Sequence, residues 1–184
     1  MNIERFTVKA QEALQHASTV AGEYNSSIID AAHLLLALAG QKDGVIPPLL
    51  NRLGVNVGEL TASLEKMVAA RPKMYGDTTQ LSLSHRVNQI LSNAEREATN
   101  LKDDFTSTEH ILLAMIDGSD EVASLLARHG VTKQRVLTAL QSIRGNQRVT
   151  DQNPENRYQV LEKYCRDLTA LARKEKLDPV IGRD

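Results

Sequence analysis

Asp30-Ala31-Ala32-His33-Leu34-Leu35-Leu36-Ala37-Leu38-Ala39 is the least polar run of this chain and carries no charge after its first residue. A run that is apolar on every side reads as a buried helix that other helices must cover. Alternating β-branched residues, which would argue for a strand, are missing. The chain then nearly repeats itself. Ser107-Thr108-Glu109-His110-Ile111-Leu112-Leu113-Ala114-Met115-Ile116 follows at an offset of 77, with His110 in the place of His33.

The same offset carries Ala10, Ala13, Leu14, Ala17 and Ala21 onto Val87, Ile90, Leu91, Ala94 and Ala98. Both sets have the spacing of one helix face. After one deletion the offset is 76, and Leu49-Leu50-Asn51-Arg52-Leu53-Gly54-Val55 lies over Leu125-Leu126-Ala127-Arg128-His129-Gly130-Val131. Leu60, Leu64 and Met67 then fall on Val136, Leu140 and Ile143. This is an internal duplication, and two copies favour a closed pseudo-two-fold domain over a solenoid.

Local signals divide each copy into four helices. Thr7 and Ser84 suit the N-caps of helices near 8–22 and 85–101, and Asp30 and Ser107 those of the buried helices. Pro47 and Pro48 fit only the opening of a third helix. Gly54 and Gly130 end that helix in the left-handed conformation, each followed by a valine able to make the contact of a Schellman ending. Asn56 and Thr132 cap the fourth helix, and Asn56 with Glu59 resembles a capping box. The expected fold is all-α: eight helices as a tandem repeat of a four-helix motif over 1–144, with copies at about 1–70 and 83–144. Arg71 to Ser82, with Pro72 and Gly76, reads as the surface connector.

Residues 145–157 have almost no apolar content and read as a flexible linker. Beyond them Leu161, Tyr164, Cys165, Leu168, Leu171 and Ala172 form one apolar stripe of a helix within 158–184, where packing against a missing module is expected. The closing Leu177-Asp178-Pro179-Val180-Ile181-Gly182-Arg183-Asp184 breaks off as though the chain belonged to something longer.

Composition narrows the function classes. An apolar fraction of 41% suffices for a core. No apolar run reaches the ~18 residues of a membrane helix and no signal peptide is visible, so a cytoplasmic location without membrane association is expected. One cysteine, Cys165, excludes an intrachain disulfide and a cysteine-based zinc site. Residues 1–143 hold 13 Lys/Arg against 16 Asp/Glu, and aromatics are 3% of the chain, so neither a cationic surface nor a stacking platform for nucleic acid is expected. The five histidines show no ligand-like spacing, and no metal site is expected.

The segment from Arg148-Val149-Thr150-Asp151-Gln152 through Lys163-Tyr164, Asp167-Leu168-Thr169 and the closing Leu177 to Asp184 resembles the entry to the first ATPase module of ClpB-type AAA+ disaggregases. The duplicated part is similar to the Clp amino-terminal domain that precedes that module. The resemblance implies a substrate-docking domain that binds unfolded or aggregated polypeptide in an apolar groove near the repeat junction. It would deliver that polypeptide to a hexameric AAA+ ring, with a DnaK-type chaperone system as a further partner. By position, Thr7, Leu91, Asp103 and Glu109 match residues associated with that binding. Each has a structural alternative: Thr7 as an N-cap, Leu91 as core, Asp103 as loop, Glu109 as a first-turn carboxylate. Where His110 stands the family more often has an apolar residue.

Resemblance also places Val180 and Ile181 against the adenine of ATP in the complete protein. ATP and magnesium belong to that parent; this chain contains no Gly-Lys dipeptide, hence no phosphate-binding loop, and neither cofactor nor hydrolysis is expected of it. A monomer is expected, because the ATPase modules assemble the ring. Two rival readings stand beside this one: an adaptor-docking module of the protease-coupled relatives, and a nucleic-acid-binding helical domain.

Overall fold

The computed structural model describes residues 2–74, 81–145 and 147–155. Among them the chain forms a 3-10 turn at Ile3–Arg5 and eight α-helices, in two sets of four. The first set is α1 Val8–Glu23, α2 Ala31–Ala39, α3 Ile46–Arg52 and α4 Val57–Ala69. The second is α5 His85–Asn100, α6 Thr108–Ile116, α7 Glu121–Arg128 and α8 Lys133–Arg144. Offsetting α1 and α2 by 77 reproduces the bounds of α5 and α6, so the duplication seen in the sequence is a duplication of structure. None of these helices is long and apolar enough to cross a membrane.

The helix starts follow from their caps. Thr7, Asn56, Ser84 and Thr132 each accept the backbone N–H three residues on. Each buried helix has a different device: the backbone N–H of Asp30 donates to Nδ1 of His33 at 2.9 Å, and that of Ser107 to Nδ1 of His110 at 2.8 Å. The paired histidines thus play the part usually taken by Glu or Gln in a capping box. Gly54 (φ 79°) and Gly130 (φ 75°) close α3 and α7, with the N–H groups of Val55 and Val131 returning to Leu50 and Leu126.

At the centre, α2 and α6 each bury eight of nine residues. α1 covers α2 and α5 covers α6, while α3 packs on α8 across the repeats. A small non-helical seam joins the copies: β1 (Ile28–Ile29) pairs in parallel with β2 (Ser82–Leu83), and Phe6 bridges Thr106. The N–H of Ser84 donates to Ile29 O and that of Thr7 to Thr106 O, at 3.0 and 2.9 Å. Those bonds are the same bond in the two copies, related by the pseudo-two-fold.

Over 147–155 the segment expected to be a flexible linker lies on the domain. Val149 is fully buried and Pro154 and Glu155 are buried with it. The N–H of Val8 donates to Gln152 O, and that of Asp104 to Val149 O. Polar composition hid this packing because one valine and one proline anchor it. The apolar stripe at 161–172 and the adenine positions Val180 and Ile181 lie outside the described residues.

Candidate functional site

The α5–α6 turn is left-handed at Lys102 (φ 59°), as the α1–β1 turn is at Asn25 (φ 57°). It turns the Asp103 carboxylate inward, with no side-chain exposure. Oδ2 lies 2.7 Å from Nε2 of His110, and Oδ1 accepts from Nη2 of Arg144 at 2.5 Å and from the Val149 N–H at 2.9 Å. Burial alone would push this carboxyl up. The bonds from His110, Arg144 and the Val149 N–H outweigh that penalty and hold it below the ordinary carboxylate value.

Because Nδ1 of His110 accepts the Ser107 N–H, the neutral ring carries its proton on Nε2 and donates it to Asp103. The Ser107 hydroxyl is 3.0 Å from the same Nδ1, which puts serine, histidine and aspartate in the order of a hydrolytic triad. Two facts fit a cap instead. The Nδ1 lone pair is already engaged by a backbone amide, as it is at His33 without a neighbouring serine, and Ser107 is fully buried.

Glu109, in the first turn of α6, is fully buried, and among the described residues neither carboxyl oxygen has a hydrogen-bond partner. Nη1 of Arg144 stands 3.8 Å from Oε2. Glu155 is likewise buried, and among the described residues its carboxyl oxygens have no hydrogen-bond partner beyond their own backbone N–H. Its pKa is raised to about 7, first by burial and then by the charge of Glu109.

Of the four residues matched by resemblance, Thr7, Asp103 and Glu109 converge on one seam. Thr7 caps α1 through its bond to Ala10 and joins Thr106 through its N–H; Asp103 and Glu109 share Arg144. Leu91 lies in the core on α5. All four are buried rather than displayed. Sequence reasoning did not find Arg144, Val149 or Glu155, and only the histidine offset pointed to the capping role of His110. Two clefts flank α8. One, about 370 Å³, lies between Arg52 and Leu53 of the first copy and the Gln134 to Ser142 face of α8. The other, about 260 Å³, lies between α8, Leu101 and Gln147 with Arg148. Thr7, Leu91, Asp103 and Glu109 line neither. Among the described residues no cluster of His, Cys, Asp and Glu could hold a metal ion.

Residues 5–129 match the family model described as the Clp repeat (R) N-terminal domain. The chain belongs to that family. Among curated relatives, the chaperone protein ClpB of Clostridium perfringens is 38% identical over 189 residues, and that of Bdellovibrio bacteriovorus 42% over 179. Those alignments take in 100% and 97% of this chain but only 22% and 21% of the relatives, so the chain spans about a fifth of their length. In fold, the Clp repeat domain here is similar to the Hsp104 N-terminal domain from Candida albicans: TM-score 0.71, 20% identity, 82% of this chain and 98% of that one. It is also similar to a ClpV N-domain solved in complex with a VipB peptide: TM-score 0.57, 18% identity, 74% and 89% covered.

Proposed function

We propose that this Clp repeat domain docks unfolded or aggregated polypeptide for an AAA+ disaggregase, holding it at the seam where α1, the α5–α6 turn and α6 meet. The observation that carries the reading is the convergence of Thr7, Asp103 and Glu109 on that one seam from three separate places in the sequence. The peptide bound to the ClpV N-domain supports a polypeptide as the ligand class. In this reading ATP and magnesium act in a motor of the longer parent, and the domain contributes binding alone.

Weak docking suits such a role. Several tethered copies around a ring raise the effective concentration of docking sites without a tight grip that would resist transfer to a pore. Removing residues 1–144 from the longer parent tests the reading. Recovery of heat-aggregated protein is expected to fall. Unchanged aggregate binding and recovery would overturn it, and capture of a folded adaptor with no affinity for unfolded chains would turn it toward adaptor docking.

A further inference from the structure

After α8 the chain turns back across the seam that carries Thr7, Asp103 and Glu109. Three of the contacts it makes there use its own main chain: the Val149 N–H to Asp103, the Asp104 N–H to Val149 O and the Val8 N–H to Gln152 O. The side chains of Arg148 and Gln152 add bonds to Lys102 O and Glu4 O. Any extended polypeptide offers the same main-chain groups whatever its sequence. We propose that residues 147–155 are a strap over the docking seam, standing where an incoming polypeptide binds and displaced when it does. This inference rests on the docking reading above.

Two features separate a strap from a permanent part of the fold. First, its grip is flawed. Glu155 brings a second carboxyl group into a buried place that already holds the Glu109 carboxylate, which has no hydrogen bond among the described residues and whose ion-pair partner, Nη1 of Arg144, stands 3.8 Å away. The charges that bear on Glu155 are Glu109 on α6, Lys9 on α1 and Asp151 in the strap itself, with Arg144 of α8 against Glu109. Two buried carboxyl groups of like charge, held by no close ion pair, favour release. Second, the polar machinery exists only in the copy that the strap crosses. The positions equivalent to Asp103, Glu109 and Arg144 in the first copy are Ser26, Ala32 and Val68, a pattern that builds no such network.

The test uses the whole chain, its Val149→Asp and Glu155→Gln variants, and labelled α-casein, a polypeptide without a stable fold, as the probe. Hydrogen exchange of the Val8 and Asp104 amides reports strap release, and fluorescence anisotropy reports casein binding. Val149→Asp is expected to speed exchange by about tenfold or more and to tighten casein binding. Glu155→Gln keeps the shape and removes the charge, so it is expected to slow exchange and weaken binding. If exchange moves and the wild type binds casein, but binding does not follow exchange in either variant, the strap is overturned while docking stands. Casein binding by none of the three chains would overturn both.

Discussion

Asp103 and Ser26 occupy the same place in the two repeats and act in opposite directions. Their backbones are alike: each follows a left-handed residue, and each N–H returns to the equivalent helix carbonyl, Ala98 O and Ala21 O. Ser26 spends its hydroxyl on its own turn, donating to Ile28 O at 2.7 Å and accepting from the Ile28 N–H at 3.2 Å. Asp103 instead reaches away from its own turn, through the interior, to α6, α8 and the returning segment. One duplicated turn is therefore closed in the first copy and joins three elements in the second.

Removing the two side chains should cost unequal amounts. Asp103→Ala takes the 2.5 Å carboxylate from the buried Arg144 guanidinium, leaving it the more distant Glu109, and takes the acceptor from His110, a loss of about 3 kcal/mol. Ser26→Ala removes a local neutral bond and should cost about 1 kcal/mol. Urea denaturation of both variants checks the difference, and equal midpoints would contradict it.

The histidines should separate in the same way. His33→Ala and His110→Ala each remove the acceptor of an N-cap amide. His110→Ala also leaves Asp103 short of a partner, whereas Nε2 of His33 has none to lose. An additional cost of about 1–3 kcal/mol is expected for His110→Ala, read from thermal or urea melts.

Acid should act in two stages of opposite sign. The folded Asp103 carboxyl lies below its ordinary value of 3.8, so its contribution is complete above that pH and is lost as pH falls through the lower folded value. Glu155 runs the other way. Raised from 4.5 to about 7, it binds more protons in the packed state than in the released one between those values. Packing of 147–155 should therefore tighten as pH falls from about 7 toward 4.5, and the domain itself should unfold only in stronger acid. Exchange of the Val8 and Asp104 amides, corrected for intrinsic pH dependence, should show protection rising across the first interval. A fall there would contradict the assignment to Glu155.

Gly54 and Gly130 are equivalent and should not tolerate alanine equally. Both have positive φ, which costs any alanine about 1–2 kcal/mol. A Cβ at Gly54 meets nothing, but at Gly130 it would come 2.7 Å from Nη1 of Arg135. That guanidinium bonds Gly130 O and, across the repeats, Leu53 O at 2.7 Å. Gly130→Ala should therefore be the more destabilising of the two, by roughly 1 kcal/mol, in paired melts.

The helices were legible because their information is local. Thr7, Ser84, Asp30, Asn56 and Thr132 cap within four residues of themselves, and Gly54 and Gly130 declare the ends of α3 and α7. The seam was not legible, since Phe6 meets Thr106 and Ile29 meets Leu83 through one or two residues each, too few to leave a pattern. Asp103 and Glu109 read as loop and first-turn carboxylates; only the distant Arg144 and Val149 reveal that they are buried. Residues 147–155 read as a linker because Val149 and Gln152 bond the domain through their main chain, which composition cannot report, and the side-chain bonds of Arg148 and Gln152 go to backbone carbonyls that leave no pattern either.

The most direct test of polypeptide docking at this seam is an NMR titration of the whole chain with unlabelled α-casein, followed amide by amide. The account predicts shifts concentrated at Val8, Asp103, Asp104, Glu109 and Val149. Shifts confined to the cleft between α3 and α8, at Leu53, Thr138 and Ala139, or none at saturating casein, would contradict it.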